Sequence, residues 1–217
     1  MEQVDAVHRR SSDAPAAPRI APRDVGNARL LSPCRRTDDN DMTFHETKIP
    51  GVLEIHLERR FDERGFFARA WCQKELEAHG LNPRLVQCSI SFNPRKGTLR
   101  GMHYQAAPYA EAKMIRCTKG TIHDVVVDLR LESPTFKEWI AVVLTAEKHN
   151  MVYVPEGCGH GFLTLEDNAE VFYQMSEFYH AESARGVRWD DPAFQIAWPD
   201  KVNVISERDR TYPNFQP

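Results

Sequence analysis

The chain has 217 residues, 41% of them hydrophobic, enough for one well-packed core and too few for two large domains. With 28 Lys and Arg against 31 Asp and Glu, its net charge of −3 excludes the broad basic face of a general nucleic-acid or membrane-surface binder, but not a local arginine cluster for an anionic small molecule. No apolar run approaches the ~20 residues that cross a bilayer, and the five cysteines (Cys34, Cys72, Cys88, Cys117, Cys158) contain no CxxC pair, so reduced thiols in a cytoplasmic protein are expected.

Residues 1–41 are rich in Arg, Asp, Pro, Ala and Ser and lack a periodic apolar pattern. Burial there cannot repay the entropy of ordering, so a disordered tail is expected. Met42 opens the segment MTFHETKIPGVLEI, where alternation begins, and a single folded domain is expected over 42–217. Strand character follows at 52–57, 85–92, 113–118, 121–129, 139–144, 150–154, 161–165 and 169–176, with turn signals such as PRKG, TKG, ESP and LEDN between them. Only 73–78 reads as helix. Many short strands without alternating helices predict an all-β fold, an antiparallel sandwich or barrel. The near-continuous Ile122, Val125, Val126, Val127 and Leu129 predict a central strand buried on both faces.

Two glycine-framed histidines stand out. In GTLRGMHYQ (97–105), Arg100 and His103 are three apart at the end of an expected strand. Such positions face opposite ways unless Gly101 bends the chain. The pair reads either as a histidine base beside a phosphate-binding arginine or as a turn of solvated polar groups, though histidine has the proton affinity that a general base requires. The second is His160 in VPEGCGHGF (154–162). Two histidines invite a metal, but no His-x-His pair is present and His103 is followed by Tyr104 and Gln105, so none is expected. Lys113 opens a strand, where a solvated lysine is the default, and Tyr173 in VFYQMSEFY reads equally well as core.

Taken together and in order, FDERGFFAR, GTLRGMHYQ, AKMIRCTKGTIHDVVVDLRLESPTF, VPEGCGHGF, VFYQMSEFY and RGVRWDDPAFQIAWP resemble the dTDP-4-dehydrorhamnose 3,5-epimerase family from about Val52 to Asp209. The resemblance implies a cupin-type jelly roll, a homodimer with strand exchange, a dTDP-4-keto-6-deoxyhexose substrate and no cofactor. It implies His103 as the proton-abstracting base, Asp209 as its carboxylate, Tyr173 as general acid and Lys113 near the 4-keto oxygen. Arg64, Arg100 and His160 fall on positions that hold nucleotide or sugar, and Phe67 and Gln87 on residues lining the nucleotide end. The chain departs from the common pattern at Arg69, Ser89 and Ala184, all at binding positions, so epimerisation at C3 or C5 alone is a close variant of the double reaction. A sugar-nucleotide ketoisomerase and a non-catalytic sugar-nucleotide-binding jelly roll are the competing readings. A metal-dependent cupin oxygenase is disfavoured by the missing His-x-His pair.

Overall fold

The computed structural model describes residues 42–216, and the tail expected at 1–41 lies outside them. The described chain opens with β1 (Met42–Glu46) and β2 (Leu53–Leu57), a hairpin of β3 (Arg60–Asp62) and β4 (Gly65–Phe67), and helix α1 (Gln73–Ala78). There follow β5 (Gln87–Asn93), β6 (Thr98–Gln105), β7 (Lys113–Lys119), β8 (Thr121–Asp128), β9 (Trp139–Thr145), β10 (Met151–Val154), β11 (Cys158–Thr164) and β12 (Ala169–Met175). Two short strands, β13 (Ala184–Gly186) and β14 (Val204–Ile205), and the turn of helix α2 (Glu207–Arg210) complete the chain.

The strands form two main sheets, ordered β1-β2-β10-β7-β12-β5 and β13-β6-β11-β8-β9, with β14 added to β6 in parallel and the other described pairings antiparallel. This is a cupin-type jelly roll. Period-two alternation sorts the side chains. From the first sheet, Ile115, Cys117, Val152 and Val171 meet Ile122, Val126, Leu144 and Phe162 of the second in one buried cluster. Phe162 is 1% exposed, and truncating it to alanine costs about 3–5 kcal/mol.

The run at 121–129 is apolar because β8 is covered twice. Val125 and Val127 turn outward onto Val187 and Phe194, while Ile122 and Val126 turn inward. On the outside of the first sheet, Leu76 of α1 seals Met42, Ile55, Met114 and Met151. Strand β6 crosses the segment that sequence reading treated as a strand end, so His103 sits within a strand. Among the described residues, the cysteines form no disulfide, and burial pushes the Cys117 thiol up to about 11 and the Cys158 thiol up to about 12.

Candidate active site

The inward-facing positions of this sandwich are not all apolar. A cleft of about 270 Å³ is lined by Gln87 and Ser89 of β5, His103 of β6, Lys113 of β7 and Tyr173 of β12, with Glu111 from the loop before β7. A neighbouring cleft of about 390 Å³ is lined by Arg100, Ser206 and Asp209, and His103 and Arg208 border both.

A bulge brings His103 and Arg100 together. The register of β6 on β11 slips between the pairs His160–His103 and Phe162–Arg100. Gly101 has φ of +138°, and a Cβ there would lie 2.5 Å from Gly161 Cα, so the close approach of the two strands needs glycine. The extra residue returns both side chains to the cleft side. Arg100 is then held by its Nε–H donating to Asn93 Oδ1 at 2.7 Å.

Helix α2 supplies the carboxylate. Ser206 is its N-cap and its Oγ accepts the Asp209 N–H at 3.1 Å, which turns Asp209 down onto β6. Asp209 Oδ2 accepts the Gly101 N–H at 3.3 Å, and Oδ1 lies 2.7 Å from His103 Nε2. Burial works against the charge of Asp209, but the His103 ring, the Gly101 N–H and Ser206 outweigh it and hold the carboxyl below the usual carboxylate range. A neutral His103 therefore keeps its proton on Nε2 and a lone pair on Nδ1.

The other groups take complementary states. Burial, with the Asp124 charge nearby, pushes the Tyr173 phenol upward against Arg100 and a Ser91 hydrogen bond, so Tyr173 remains a proton donor. The ring of His160 stands edge-on to Tyr173 at 6.2 Å. His160 Nε2 lies 2.8 Å from Asp124 Oδ2, and burial raises the Asp124 carboxyl despite that partner. The His103 and His160 rings each turn to a carboxylate of their own. Among the described residues, no three His, Cys, Asp or Glu side chains converge on a metal-holding geometry.

One chain therefore gathers His103, Asp209, Tyr173, Lys113, Gln87, Arg100 and His160 around the two clefts and beneath them. It does not bring in Arg64 or Phe67. Both lie on the β3–β4 hairpin, where Arg64 pairs with Asp62 and Phe67 is 73% exposed, while Phe66 packs on His149 of the β9–β10 turn. Of the three departures, Ser89 and Ala184 line the cleft, whereas Arg69 donates to Glu75 of α1 at 2.7 Å. Sequence reasoning missed three groups. Asp124 was hidden inside an apolar run, Glu111 sat in a loop, and Arg208 lay beside the more conspicuous Asp209.

A carboxylate-held histidine, a protonated phenol and a lysine around one cleft can take up and return protons while stabilising an oxyanion. On an antiparallel jelly roll, this is the equipment of an isomerase that works by proton transfer. Comparison with known proteins specifies it further. A family model described as dTDP-4-dehydrorhamnose 3,5-epimerase matches residues 46–217. The dTDP-4-dehydrorhamnose 3,5-epimerase of Shigella flexneri is 42% identical over 77% of this chain and 93% of its own. The crystal structure of the enzyme from Bacillus anthracis with TDP and PPi bound superposes with TM-score 0.77 at 38% identity, covering 80% of this chain and 99% of that one. A 3'-monoepimerase from Streptomyces bikiniensis in complex with dTDP-quinovose gives TM-score 0.73 at 32% identity, covering 78% and 86%. The chain belongs to the dTDP-4-dehydrorhamnose 3,5-epimerase family.

Proposed function

We propose that this enzyme inverts C3 and C5 of a dTDP-4-keto-6-deoxyhexose by removing a proton on one face of the ring and returning one on the other. The observation that carries the reading is the His103–Asp209 pair lining the same cleft as the donor Tyr173. A hydrogen beside a ketone is weakly acidic, so its removal needs a placed base and a stabilised enolate. His103 takes the proton, and Asp209 steadies the resulting imidazolium. The C4 oxygen gains the negative charge opposite Lys113. Tyr173 then gives its phenolic proton to the carbon from the opposite face, and solvent resets both side chains. The ketone flanks C3 and C5 alike, so the same pair serves both carbons when the sugar shifts between steps.

Arg100 and Arg208 border the second cleft, where a diphosphate would pass. The hairpin residues Arg64 and Phe67 fit the reading in a homodimer with strand exchange, in which they approach the partner's nucleotide. The exposed Phe61, Phe66 and Phe67, together with Ile90 and Phe92 on edge strand β5, supply apolar surface for that contact. Among the described residues, no helix is long and apolar enough to cross a membrane. A nucleotide-activated sugar as substrate supports a cytoplasmic site of action.

The test is NMR of dTDP-4-keto-6-deoxyglucose in D₂O with the purified protein. Loss of both the H3 and H5 signals, with the carbonyl remaining at C4, is expected. Loss of one signal would make it a single-site epimerase, and a carbonyl that migrates to C3 would make it a ketoisomerase. Binding without exchange would make it a non-catalytic sugar-nucleotide protein.

A further inference from the structure

Lys113 does not meet the cleft alone. Its Nζ lies 2.9 Å from Glu111 Oε1, and the two side chains keep only 12% and 11% of their surface, so the pair is largely removed from water. Nζ also reaches the His103 carbonyl oxygen at 3.5 Å. An ammonium has three N–H bonds, and these two contacts leave one for a ligand in the cleft that Glu111, Lys113, His103 and Tyr173 line together. Two carboxylates bear on Lys113: Glu111 from the preceding loop, in contact, and Asp124 of β8, nearby. Asp124 already serves His160, which leaves Glu111 as the carboxylate committed to the lysine.

This arrangement answers a problem of using lysine at a ketone. A four-carbon stem points its charge poorly unless something fixes the end. A buried carboxylate in direct contact fixes it. We propose that Glu111 is a positioning residue for the reaction, fixing the Lys113 ammonium so that its third N–H meets the developing enolate oxygen. The proposal rests on the epimerase reading above.

The test is kcat and KM, followed by H3 and H5 exchange, for the full-length wild type, Glu111→Gln and Glu111→Asp, with Tm measured for each. For Glu111→Gln, kcat should fall roughly 10- to 100-fold, because the lysine is no longer held. KM should change by less than about twofold, since the contact matters in the transition state. Glu111→Asp keeps the carboxylate but shortens the reach, so it should recover part of the lost kcat.

A lowered Tm in Glu111→Gln with kcat within about twofold of wild type would show a merely structural residue and overturn the proposal. A raised KM alone would do the same, by showing a contact to a sugar hydroxyl. If Glu111→Gln does not fold, Glu111→Asp decides: a reduced kcat at wild-type KM and Tm supports the proposal, and wild-type kcat, or a fall in kcat that comes only with a lowered Tm, overturns it. A wild type that exchanges neither proton overturns the epimerase reading and this proposal together, whereas exchange with unaltered Glu111 variants overturns this proposal alone.

Discussion

Two histidine–aspartate pairs stand side by side in this protein, and their difference explains which one faces chemistry. His103 and His160 are register partners across β6 and β11, with carboxylates at 2.7 Å and 2.8 Å respectively. His103 keeps 39% of its side chain exposed to a cleft, while His160 keeps 5%. Asp209 has both oxygens hydrogen-bonded and stays ionised, whereas Asp124 Oδ1 has no hydrogen-bond partner among the described residues and burial raises its carboxyl. The same two side chains thus stand open to a cleft in one place and form a buried contact in the other. Environment, rather than residue type, separates the roles.

Mutation should break this comparison in different currencies. The largest effect expected is on rate. His103→Asn should lower H3 and H5 exchange by on the order of 10²- to 10⁴-fold at nearly unchanged Tm, and retained exchange measured by NMR in D₂O would remove His103 from the base role. His160→Ala should act mainly on stability, because it strands Asp124 without its partner. Urea unfolding should report a loss of about 3–5 kcal/mol. A loss below about 1 kcal/mol would mean that the pair is not a structural floor.

The smallest effect expected is in the pH dependence of Tm, where the two aspartates carry opposite signs. Asp209 is depressed in the fold, so its stabilisation is fully present above the ordinary carboxylate value near 4 and is lost as pH falls through its lower folded value. Asp124 is raised, so its contribution is favourable below about 4 and is lost as pH climbs through its higher folded value. Asp209→Asn should flatten the acid side of a Tm-versus-pH curve, and Asp124→Asn the side above it. Identical curves for the two variants would contradict the contrast.

What the sequence disclosed follows the same division. Strands β7, β8 and β12 were legible because alternation and β-branched residues are the direct imprint of burial. Strand β6 was legible only as a strand end, because its Arg, Gly, His and Gln belong to a cleft lining and a bulge rather than to a core pattern. Gly101 was recognised as the bend that lets Arg100 and His103 share a side, a question of local geometry. Glu111 and Asp124 were invisible for opposite reasons. A loop carboxylate ordinarily reads as solvated surface, and Asp124 sits inside IHDVVVD, where four apolar neighbours dominate the reading. Arg64 and Phe67 were placed by resemblance and lie on an exposed hairpin, apart from the two clefts.

The central claim is that base and acid work from opposite faces of the sugar. Tyr173→Phe, given dTDP-4-keto-6-deoxyglucose in D₂O, tests it most directly, because removing the phenolic proton should separate abstraction from inversion. The account predicts that deuterium still enters at C3 and C5 through His103, while the inverted product forms on the order of 10²-fold more slowly. Inversion at the wild-type rate would contradict it, since the proton on the second face would then have to come from another group.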